Sequence, residues 1–444
     1  MPRKKASTSS SSESVGASLP PGKLNDHWVV GKALGSGAFS TVYEATLASE
    51  SDDGEWALKV SPYVEEIISG GKRKRVSKKA LQKANAGATL LFWEYNVYRA
   101  YLRGVVGVPS HPKGKAWYGK TNGFAHLAVE RMHGGTLTSR CNSGGASPDA
   151  VCKVAAQLLE TLQGIHSNGI LFRDVKTDNF MLKNSDGSGR VYCLDFGAAV
   201  KYLDRTGKRR TEGTGVEGTP LFMGLRVHEN SPPSPVDDLE SLAYMLVWML
   251  KGSLPWEGAK SINDVVKGKE AAIENPEKLY DGVDDSDGLR AVNEFMSAVI
   301  DMDADSTPDY ERCISIFKSA LPGKRSKSAP LLEASDWGSG SHGKKKKTAK
   351  AKAKKTSASP KKAKASRGRA KAKTKAKQKA ATTTTTTTIK RSARTSSSST
   401  TTKPVRSSRR LASKRAAATR VSRSPSPSRS KSPKRSRGAK KRKR

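Results

Sequence analysis

Two short strings decide the fold of this chain: Phe172-Arg173-Asp174-Val175-Lys176-Thr177-Asp178-Asn179 and, further along, Leu194-Asp195-Phe196-Gly197. Asp174 and Asn179 lie five residues apart, and Asp195 follows Asp174 by twenty-one residues. A carboxylate can take a proton from a hydroxyl group, and carboxylate and amide oxygens are ligands that Mg²⁺ accepts. Either string could arise by chance, but their order and spacing together predict one site and one fold.

A glycine-rich turn precedes these strings and lies between two predicted strands. Residues Gly31 to Tyr43 read GKALGSGAFSTVY, and the next strand carries Lys59. Because Gly35 and Gly37 have no Cβ, backbone N–H groups there can approach phosphate oxygens closely. Taken alone, such a turn is also typical of an ordinary hairpin, and a lone lysine on a strand is usually solvent-exposed. The later strings favour the phosphate-binding interpretation of both features.

Long helices are predicted around the two strings. Apolar residues recur at helical spacing from Ala150 to Asn168, a helix that Pro148-Asp149 begins and Gly169 ends. The segment from Leu239 to Leu250 is apolar on nearly all sides, which is typical of a helix buried at the centre of a large lobe.

The charge divides the chain into two parts. The net charge is +40, from 81 basic and 41 acidic residues, but the segment from Pro322 onward holds 42 of the basic residues and only two acidic ones. The part before Pro322 is therefore close to neutral. Few large apolar side chains occur in residues 1–25 or after Gly323, so chain entropy is not offset there. We predict a disordered segment over 1–25, a folded domain over 26–321 and a disordered basic tail over 322–444.

Cysteine usage and hydropathy exclude several classes of protein. The four cysteines form no Cys-x-x-Cys pair, which favours a reducing, intracellular location without a zinc site or disulfide framework. No segment approaches the ~20 apolar residues that a membrane span needs, and the N-terminal residues lack the apolar core of a signal peptide. We therefore expect a soluble protein with no membrane partner.

The order of these motifs resembles the eukaryotic protein kinase family. The segments Pro235–Tyr244 and Gly252–Gly258 are similar to a helix and its following loop in the casein kinase 1 and vaccinia-related kinase group. Two further segments, Lys201-Tyr202 and Thr307–Tyr310, are also similar to sequences of that group. The resemblance runs from about Trp28 to Leu321. It implies an α+β, bilobal protein kinase fold with a small β-rich N-lobe and a larger helical C-lobe, followed by the disordered basic tail.

The resemblance implies ATP and Mg²⁺ as cofactors, and it assigns roles in phosphoryl transfer. Lys59 would hold the nucleotide phosphates while paired with Glu94 on a helix over Leu90–Leu102. Asp174 would orient the attacking hydroxyl, and Lys176 would neutralise charge on the γ-phosphoryl group. The side chains expected to bind the metal are Asn179 and Asp195.

It also implies an adenine site and a substrate class. Val42 and Ala57 would sandwich the adenine between them, while backbone groups of Glu130 and Met132 would hydrogen-bond its edge. Lys176, together with Thr219, resembles Ser/Thr kinases more than Tyr kinases. Asp238 would tie the catalytic loop to the buried helix.

The chain departs from the family pattern at a few positions. Ser40 replaces the third glycine of the turn, and Phe172 replaces the usual histidine, whose role in the family is packing. The A-P-E triplet is absent, and Met223-Gly224-Leu225-Arg226 occupies that region. Because no metal-binding or phosphate-transfer residue is missing, we expect an active Ser/Thr protein kinase that phosphorylates protein substrates. We also expect it to act as a monomer.

The tail has the charge of a polyanion-binding segment. Its Lys-Ala repeats resemble those of linker-histone tails such as histone H1, and Lys440 to Arg444 and Lys72 to Arg75 could serve as nuclear import signals. We expect binding to nucleic acid or chromatin and a nuclear location, or a viral particle or factory if the chain is viral. The alternative is a nucleic-acid-packaging protein whose kinase fold is a non-catalytic scaffold.

Overall fold

The computed structural model describes residues 22–48, 54–65, 68–69, 72–73, 77–112, 117–141, 145–323 and 329–337. The predictions for residues 1–21, for Lys74-Arg75 and for the tail beyond Trp337 lie outside these described residues. The β-strands are β1 (Gly22–Lys23), β2 (Trp28–Ser36), β3 (Thr41–Leu47), β4 (Trp56–Pro62), β5 (Ile68–Ser69), β6 (Lys72–Arg73), β7 (Tyr118–Thr121), β8 (Phe124–Glu130), β9 (Ile170–Leu171), β10 (Phe180–Leu182), β11 (Val191–Cys193) and β12 (Val200–Lys201). The α-helices are α1 (Lys78–Ala84), α2 (Ala86–Tyr101), α3 (Leu137–Cys141), α4 (Pro148–Ser167), α5 (Leu225–His228), α6 (Pro235–Lys251), α7 (Ile262–Glu274), α8 (Asp287–Ile300) and α9 (Tyr310–Ser319).

The N-lobe is an antiparallel sheet with helix α2 packed against it. The strand order is β1-β2-β3-β4-β8-β7, and every neighbouring pair is antiparallel. Alternate residues of β4, such as Leu58 and Val60, are buried, as the period of two along a strand requires when one face covers a core. Gly87 in the first turn of α2 lets the helix approach the sheet, because a Cβ there would lie 2.2 Å from Ser61 Oγ.

The C-lobe is built around helices α4 and α6. Ser147 caps α4 by accepting from the Ala150 N–H, and the helix ends at a turn in which Gly169 has φ +75°. Helix α6 begins with a capping box between Ser234 and Asp237. Its residues from Leu239 to Leu250 are buried except for Trp248, so the prediction of a central helix is confirmed.

Two short ladders bring the two motif strings together. Strand β9 pairs with β12, and β10 pairs with β11. The loop that carries Asp174 lies between β9 and β10, and the turn that carries Asp195 lies between β11 and β12. Strands β9 and β10 flank the Asp174 loop, and they pair with β12 and β11, which flank the Asp195 turn. The loop and the turn must therefore lie next to each other.

The predicted domain boundaries need correction at both ends. Strand β1 and the buried Leu24 precede residue 26, and residues 329–337, which we call the C-terminal strap, pack on the C-lobe beyond Leu321. Leu332 is 2% exposed and exchanges backbone hydrogen bonds with Gly189, at 2.8 and 3.0 Å. Ordered structure therefore continues into the segment that we predicted to be disordered, since the strap buries apolar surface that offsets its loss of chain entropy.

Polar contacts fix both ends of the strap. Near its start, the Gln157 side chain donates to the Pro330 carbonyl at 2.7 Å. Near its end, Lys153 Nζ lies 2.9 Å from both carboxylate oxygens of Asp336, and Trp337 Nε1 donates to the Gly187 carbonyl at 2.8 Å. The only two acidic residues after Pro322, the only aromatic residue there and the pair Leu331-Leu332 all lie in this segment. Composition thus carried a signal that the prediction overlooked.

Within the described residues, no helix combines the length and the apolar character that crossing a membrane requires.

Candidate active site

The glycine-rich turn joins strands β2 and β3 at the edge of the cleft between the lobes. The Gly37 N–H donates to the Ser40 carbonyl at 2.8 Å, and Gly35 pairs with Val42 across the ladder. A Cβ on Gly35 would meet no atom within 4 Å, and one on Gly37 would meet only the Ser40 carbonyl oxygen, at 3.8 Å. The space beside both glycines is open, which fits a close approach of phosphate oxygens to their backbone N–H groups.

Lys59 connects the two lobes. Its Nζ lies 2.9 Å from Glu94 Oε2 on helix α2, so the structure contains the ion pair that the family resemblance implies. The same Nζ lies 2.8 Å from Asp195 Oδ1, a contact that the sequence analysis did not predict. Glu94 is 2% exposed, and its other carboxylate oxygen accepts from the Phe196 N–H at 3.3 Å. One lysine therefore sets the distance between helix α2, strand β4 and the turn at Asp195.

Burial and charge act in opposite directions on the pKa values of this group. Burial alone would lower the pKa of Lys59, but the carboxylates of Glu94 and Asp195 outweigh it and raise that pKa. Burial also opposes a charged Asp195, yet Lys59 and the Gly197 N–H lower the pKa of this carboxyl. Burial raises the pKa of Glu94 in spite of the attraction of Lys59. At neutral pH the cleft therefore holds a fixed ammonium group beside the ionised Asp195.

Asp195 has a backbone conformation that few residues other than glycine adopt. Its φ is 64°, and its Oδ1 accepts from the Gly197 N–H at 3.2 Å. The next residue, Phe196, is fully buried, and its ring meets the rings of Tyr98 and Phe172 edge-on, with centroids 5.0 and 5.1 Å apart. Phe172 thus fills by packing the position where the family usually has histidine. The buried phenylalanine beneath Asp195 directs the carboxylate toward Lys59.

The loop that carries Asp174 is held by helix α6. Asp238 is 2% exposed and accepts from the backbone N–H groups of Phe172 and Arg173, at 2.7 and 2.8 Å. It also bonds His166 Nε2 of helix α4 at 2.9 Å, a partner that the sequence analysis missed. Arg173 has φ 70°, so these bonds help to hold a strained backbone at the entrance to the loop. The predicted anchoring role of Asp238 agrees with this geometry.

Asp174 is surrounded by donors. Thr219 Oγ1 donates to Asp174 Oδ1 at 2.7 Å, and Asn179 Nδ2 donates to Asp174 Oδ2 at 2.9 Å. Lys176 Nζ lies 2.6 Å from the same Oδ2. The structure therefore brings Asp174, Lys176 and Asn179 together, with Thr219 added from a loop forty-five residues further along the chain.

The side chains fit a divalent cation in one particular way. Asn179 uses its amide nitrogen for Asp174, which leaves the amide oxygen as an acceptor, and Asp195 uses Oδ1 for Lys59, which leaves Oδ2. Among the described residues, no group of three or more His, Cys, Asp or Glu could hold a metal ion alone. Asn179 and Asp195 would thus supply two oxygens of a Mg²⁺ site that phosphate oxygens and water complete.

The predicted adenine site lies on strands β3, β4 and the end of β8. Val42 faces Lys59 across the β3–β4 ladder, and Ala57 lies two residues before this lysine. The Arg131 N–H donates to the Glu55 carbonyl at 3.1 Å, so the neighbouring pair Trp56 and Glu130 is a non-hydrogen-bonded pair of the β4–β8 ladder. The Glu130 carbonyl therefore points away from β4. The Glu130 side chain bonds Ser110 and Lys183 instead of facing the cleft. The Glu130 N–H donates to the Ser110 carbonyl at 2.9 Å, which leaves the carbonyl of Glu130 as its backbone group for a nucleotide base.

Comparison with known proteins agrees with this geometry. Residues 28–314 match the family described as the protein kinase domain, so the chain belongs to the protein kinase family. Within it the chain is casein kinase I-like, and that part of the predicted resemblance is confirmed.

Three yeast proteins illustrate the degree of similarity. Casein kinase I homolog 1 of Schizosaccharomyces pombe is 26% identical over 314 residues, which cover 66% of this chain and 61% of that protein. Casein kinase I homolog 3 of Saccharomyces cerevisiae is 25% identical over 322 residues, covering 66% and 59%. Casein kinase I homolog 2 of Schizosaccharomyces pombe is 27% identical over 303 residues, covering 66% and 62%. The chain therefore spans about three fifths of the length of these curated relatives.

Proposed function

We propose that this chain is an active Ser/Thr protein kinase, which transfers the γ-phosphoryl group of ATP to hydroxyl groups of protein substrates. The observation that carries the proposal is the joint placement of Lys59, Glu94, Asp174, Asn179 and Asp195 at one cleft. Phosphoryl transfer depends almost entirely on such positioned charges.

Each side chain has a defined part in the reaction. Lys59 would place its positive charge against the α- and β-phosphates. Asp174 would accept the proton of the acceptor hydroxyl as the hydroxyl oxygen bonds the γ-phosphorus. The bond from that phosphorus to the β–γ bridging oxygen breaks at the same time, and ADP leaves. Lys176 would neutralise charge on the transferred group. Asn179 and Asp195 would hold Mg²⁺, which would further neutralise the charge of the phosphates when bound.

The contact between Thr219 and Asp174 supports Ser/Thr specificity. Thr219 Oγ1 donates to Asp174 at 2.7 Å, and Lys176 approaches the same carboxylate. Thr219 and Lys176 thereby fix the carboxylate that would meet the acceptor hydroxyl. The pairing of this lysine with this threonine is also the feature that resembles Ser/Thr kinases.

The test is phosphate transfer by the full-length protein. The purified chain is incubated with γ-labelled ATP and Mg²⁺, with casein, a basic protein and a Tyr-containing polymer as acceptors. We expect label on Ser or Thr, none on Tyr, and no transfer once a chelator removes the metal. Absence of transfer to every acceptor would favour the non-catalytic alternative, and label on Tyr would contradict the specificity.

We further propose that the basic tail brings the kinase to nucleic acid or chromatin, and that the protein acts as a monomer in the nucleus or, if viral, in a particle or factory. What supports this is the charge distribution: 42 basic residues against two acidic ones from Pro322 onward. The only aromatic residue of this segment, Trp337, bonds the Gly187 carbonyl, so the tail beyond it would bind the phosphate backbone independently of sequence. Fractionation of cells that express the full-length and tail-deleted proteins tests the location.

A further inference from the structure

Helix α7 carries a lysine that is completely buried. Lys269 has 0% of its side chain exposed, although lysine is almost never fully buried without a partner. No step of the proposed reaction uses this residue, and none of the residues assigned to the nucleotide lies on helix α7. Its contacts therefore call for a separate explanation.

The amine of Lys269 binds the loop that follows Thr219. Its Nζ donates to the Pro220 carbonyl at 2.7 Å and to the Met223 carbonyl at 2.5 Å. A third contact, at 3.3 Å, joins Nζ to Nε2 of His228. We call residues 219–223 the substrate loop, because its first residue bonds the carboxylate that would receive the acceptor proton.

A second buried donor holds the residue between these carbonyls. Trp256 Nε1 donates to the Leu221 carbonyl at 2.7 Å, and its ring lies 5.7 Å from Lys269 Nζ. Gly268 makes this arrangement possible, because a Cβ there would lie 2.8 Å from the Cβ of Trp256. Two buried side chains, Lys269 and Trp256, thus bind the carbonyls of Pro220, Leu221 and Met223.

The other end of the loop is fixed to the catalytic loop. Gly218 has φ +119°, and a Cβ on it would lie 2.5 Å from the Arg173 carbonyl oxygen. Thr219 then bonds Asp174, as described above. The substrate loop is therefore hydrogen-bonded to Asp174 at one end and to Lys269 and Trp256 at the other. We expect a displacement at Lys269 to alter the position of the loop relative to Asp174.

Lys269 can serve both carbonyls in either charge state. Burial lowers its pKa to about 7, against the opposing attraction of the Glu240 carboxylate. An ammonium group has three N–H bonds and a neutral amine still has two, which is the number of carbonyls to be satisfied. Burial, with the nearby Lys269, lowers the pKa of His228 to about 4, so its Nε2 can accept at neutral pH.

We propose that Lys269 is a positioning residue for the protein substrate: it fixes the carbonyls of the substrate loop and so sets how the acceptor hydroxyl meets Asp174. The inference rests on the proposed kinase activity and deepens it. It predicts an effect on the acceptor but not on ATP, because the nucleotide residues lie in the glycine-rich turn, on strands β3, β4 and β8, and in the loops at Asn179 and Asp195. A displacement of about 1 Å at a reacting group can lower the rate by a factor of about 100.

The test compares Lys269→Met with Lys267→Met, an exposed lysine of the same helix. In the full-length protein we expect Lys269→Met to lower kcat/KM for a peptide acceptor at least tenfold, with the KM for ATP within twofold of wild type. Lys267→Met should leave both unchanged. An unaltered peptide kcat/KM, or an equal change in the KM for ATP, would overturn the inference.

Two further measurements keep this test independent of folding and of the proposed activity. Trp256→Phe removes the indole N–H that binds Leu221 and retains a smaller aromatic ring, and it should reproduce the acceptor-specific effect if Lys269→Met does not fold. Hydrogen exchange of residues 218–224 should be faster in Lys269→Met than in Lys267→Met. Hydrogen exchange needs no catalysis, so it tests the loop-fixing role even if the wild-type protein transfers no phosphate. Absence of transfer by the wild-type protein would refute only the proposed kinase function. Equal exchange in the two variants would refute that role.

Discussion

Asp174 is the residue on which the proposed chemistry depends most directly. Asparagine fits the same space and can still accept from Thr219, but it carries no charge and cannot take the proton of the acceptor. We predict that Asp174→Asn lowers kcat by a factor of about 1000 or more and leaves the Tm near that of wild type. Steady-state transfer of labelled phosphate and thermal unfolding measure the two effects.

The matched control is Asp284→Asn, the same substitution at an exposed aspartate before helix α8. It should leave both kcat and Tm unchanged. If the Asp174→Asn protein retained more than about a tenth of the wild-type kcat, the assignment of the catalytic loop would be wrong.

Lys59 has both a catalytic and a structural consequence. Lys59→Met removes the cation from the nucleotide site and leaves the carboxylate of Glu94 buried with only the Phe196 N–H as a donor. We predict a loss of kcat by a factor of about 1000 and a decrease of roughly 3 kcal/mol in the free energy of unfolding, since the buried Glu94 carboxyl loses its cationic partner. Transfer assays and urea unfolding test both parts.

The double variant Lys59→Met/Glu94→Gln separates these consequences. Removing the stranded carboxylate should restore part of the stability and none of the activity. Lys83→Met, at an exposed lysine of helix α1, serves as the control. Restoration of activity in the double variant would show that Lys59 has no direct role in transfer.

At the scale of elements, helix α6 supports the catalytic loop through a single side chain. Asp238 Oδ1 accepts from the Arg173 N–H, while Oδ2 accepts from the Phe172 N–H and contacts His166. An asparagine would offer one acceptor oxygen instead of two. Asp238→Asn should therefore reduce the free energy of unfolding by about 2 kcal/mol and also reduce kcat, because the strained backbone at Arg173 loses its support.

The control on the same helix is Met245→Leu, a buried substitution that conserves volume and lies away from the loop. It should lower stability by less than about 1.5 kcal/mol and leave kcat unchanged. An Asp238→Asn protein with wild-type kcat would show that the loop keeps its shape without helix α6. Urea unfolding and steady-state kinetics decide the matter.

At the scale of the whole molecule, the position of a truncation matters because of the C-terminal strap. Deleting residues 338–444 retains the strap, whereas a cut after Gly323 exposes the surface that covers Leu332 and leaves Lys153 and Gln157 without these partners. We predict that residues 1–337 match the full-length protein in peptide kinase activity. Residues 1–323 should have a Tm lower by about 5 °C.

Trp337→Ala in the full-length chain separates loss of the strap from loss of the tail. It removes the bond to the Gly187 carbonyl and should lower Tm in the same direction, by a smaller amount. Equal melting of the two truncated proteins would show that the strap contributes nothing to stability. Differential scanning calorimetry makes the comparison directly.

The tail itself should act as a substrate and as a switch. It is rich in Ser and Thr, and we expect its connection to the kinase domain to give an effective concentration at the active site in the mM range. Each phosphate brings about −1.5 to −2 charges, so roughly ten would offset about half of the positive excess. We predict that preincubation with ATP and Mg²⁺ phosphorylates residues after Gly323 and weakens binding to duplex DNA.

The readout is the dependence of DNA affinity on salt, whose slope is about −0.9 per phosphate neutralised. Phosphorylation should flatten this slope, and the protein of residues 1–337 should lack tight binding altogether. The Asp174→Asn protein, treated identically, is the control. A slope that stays the same despite heavy phosphorylation would contradict the switch.

The sequence by itself determined the fold, the motif residues and the division of charge. Strand and helix periodicity specified the elements, and the spacing from Lys59 through Asp174 to Asp195 specified the site, because local patterns and short motifs do not depend on distant contacts. The ion pair of Lys59 with Glu94 and the anchoring of the catalytic loop by Asp238 could both be predicted from the family pattern.

Only the tertiary structure decided how distant segments meet. The bond of Lys59 to Asp195, the contact of Thr219 with Asp174, the burial of Lys269 beneath the substrate loop and the docking of the strap all join residues that are far apart in sequence. No local pattern encodes such pairs, since a buried lysine and an exposed one look alike in sequence. What distinguishes them is the set of carbonyls and rings that the folded chain places around each amine.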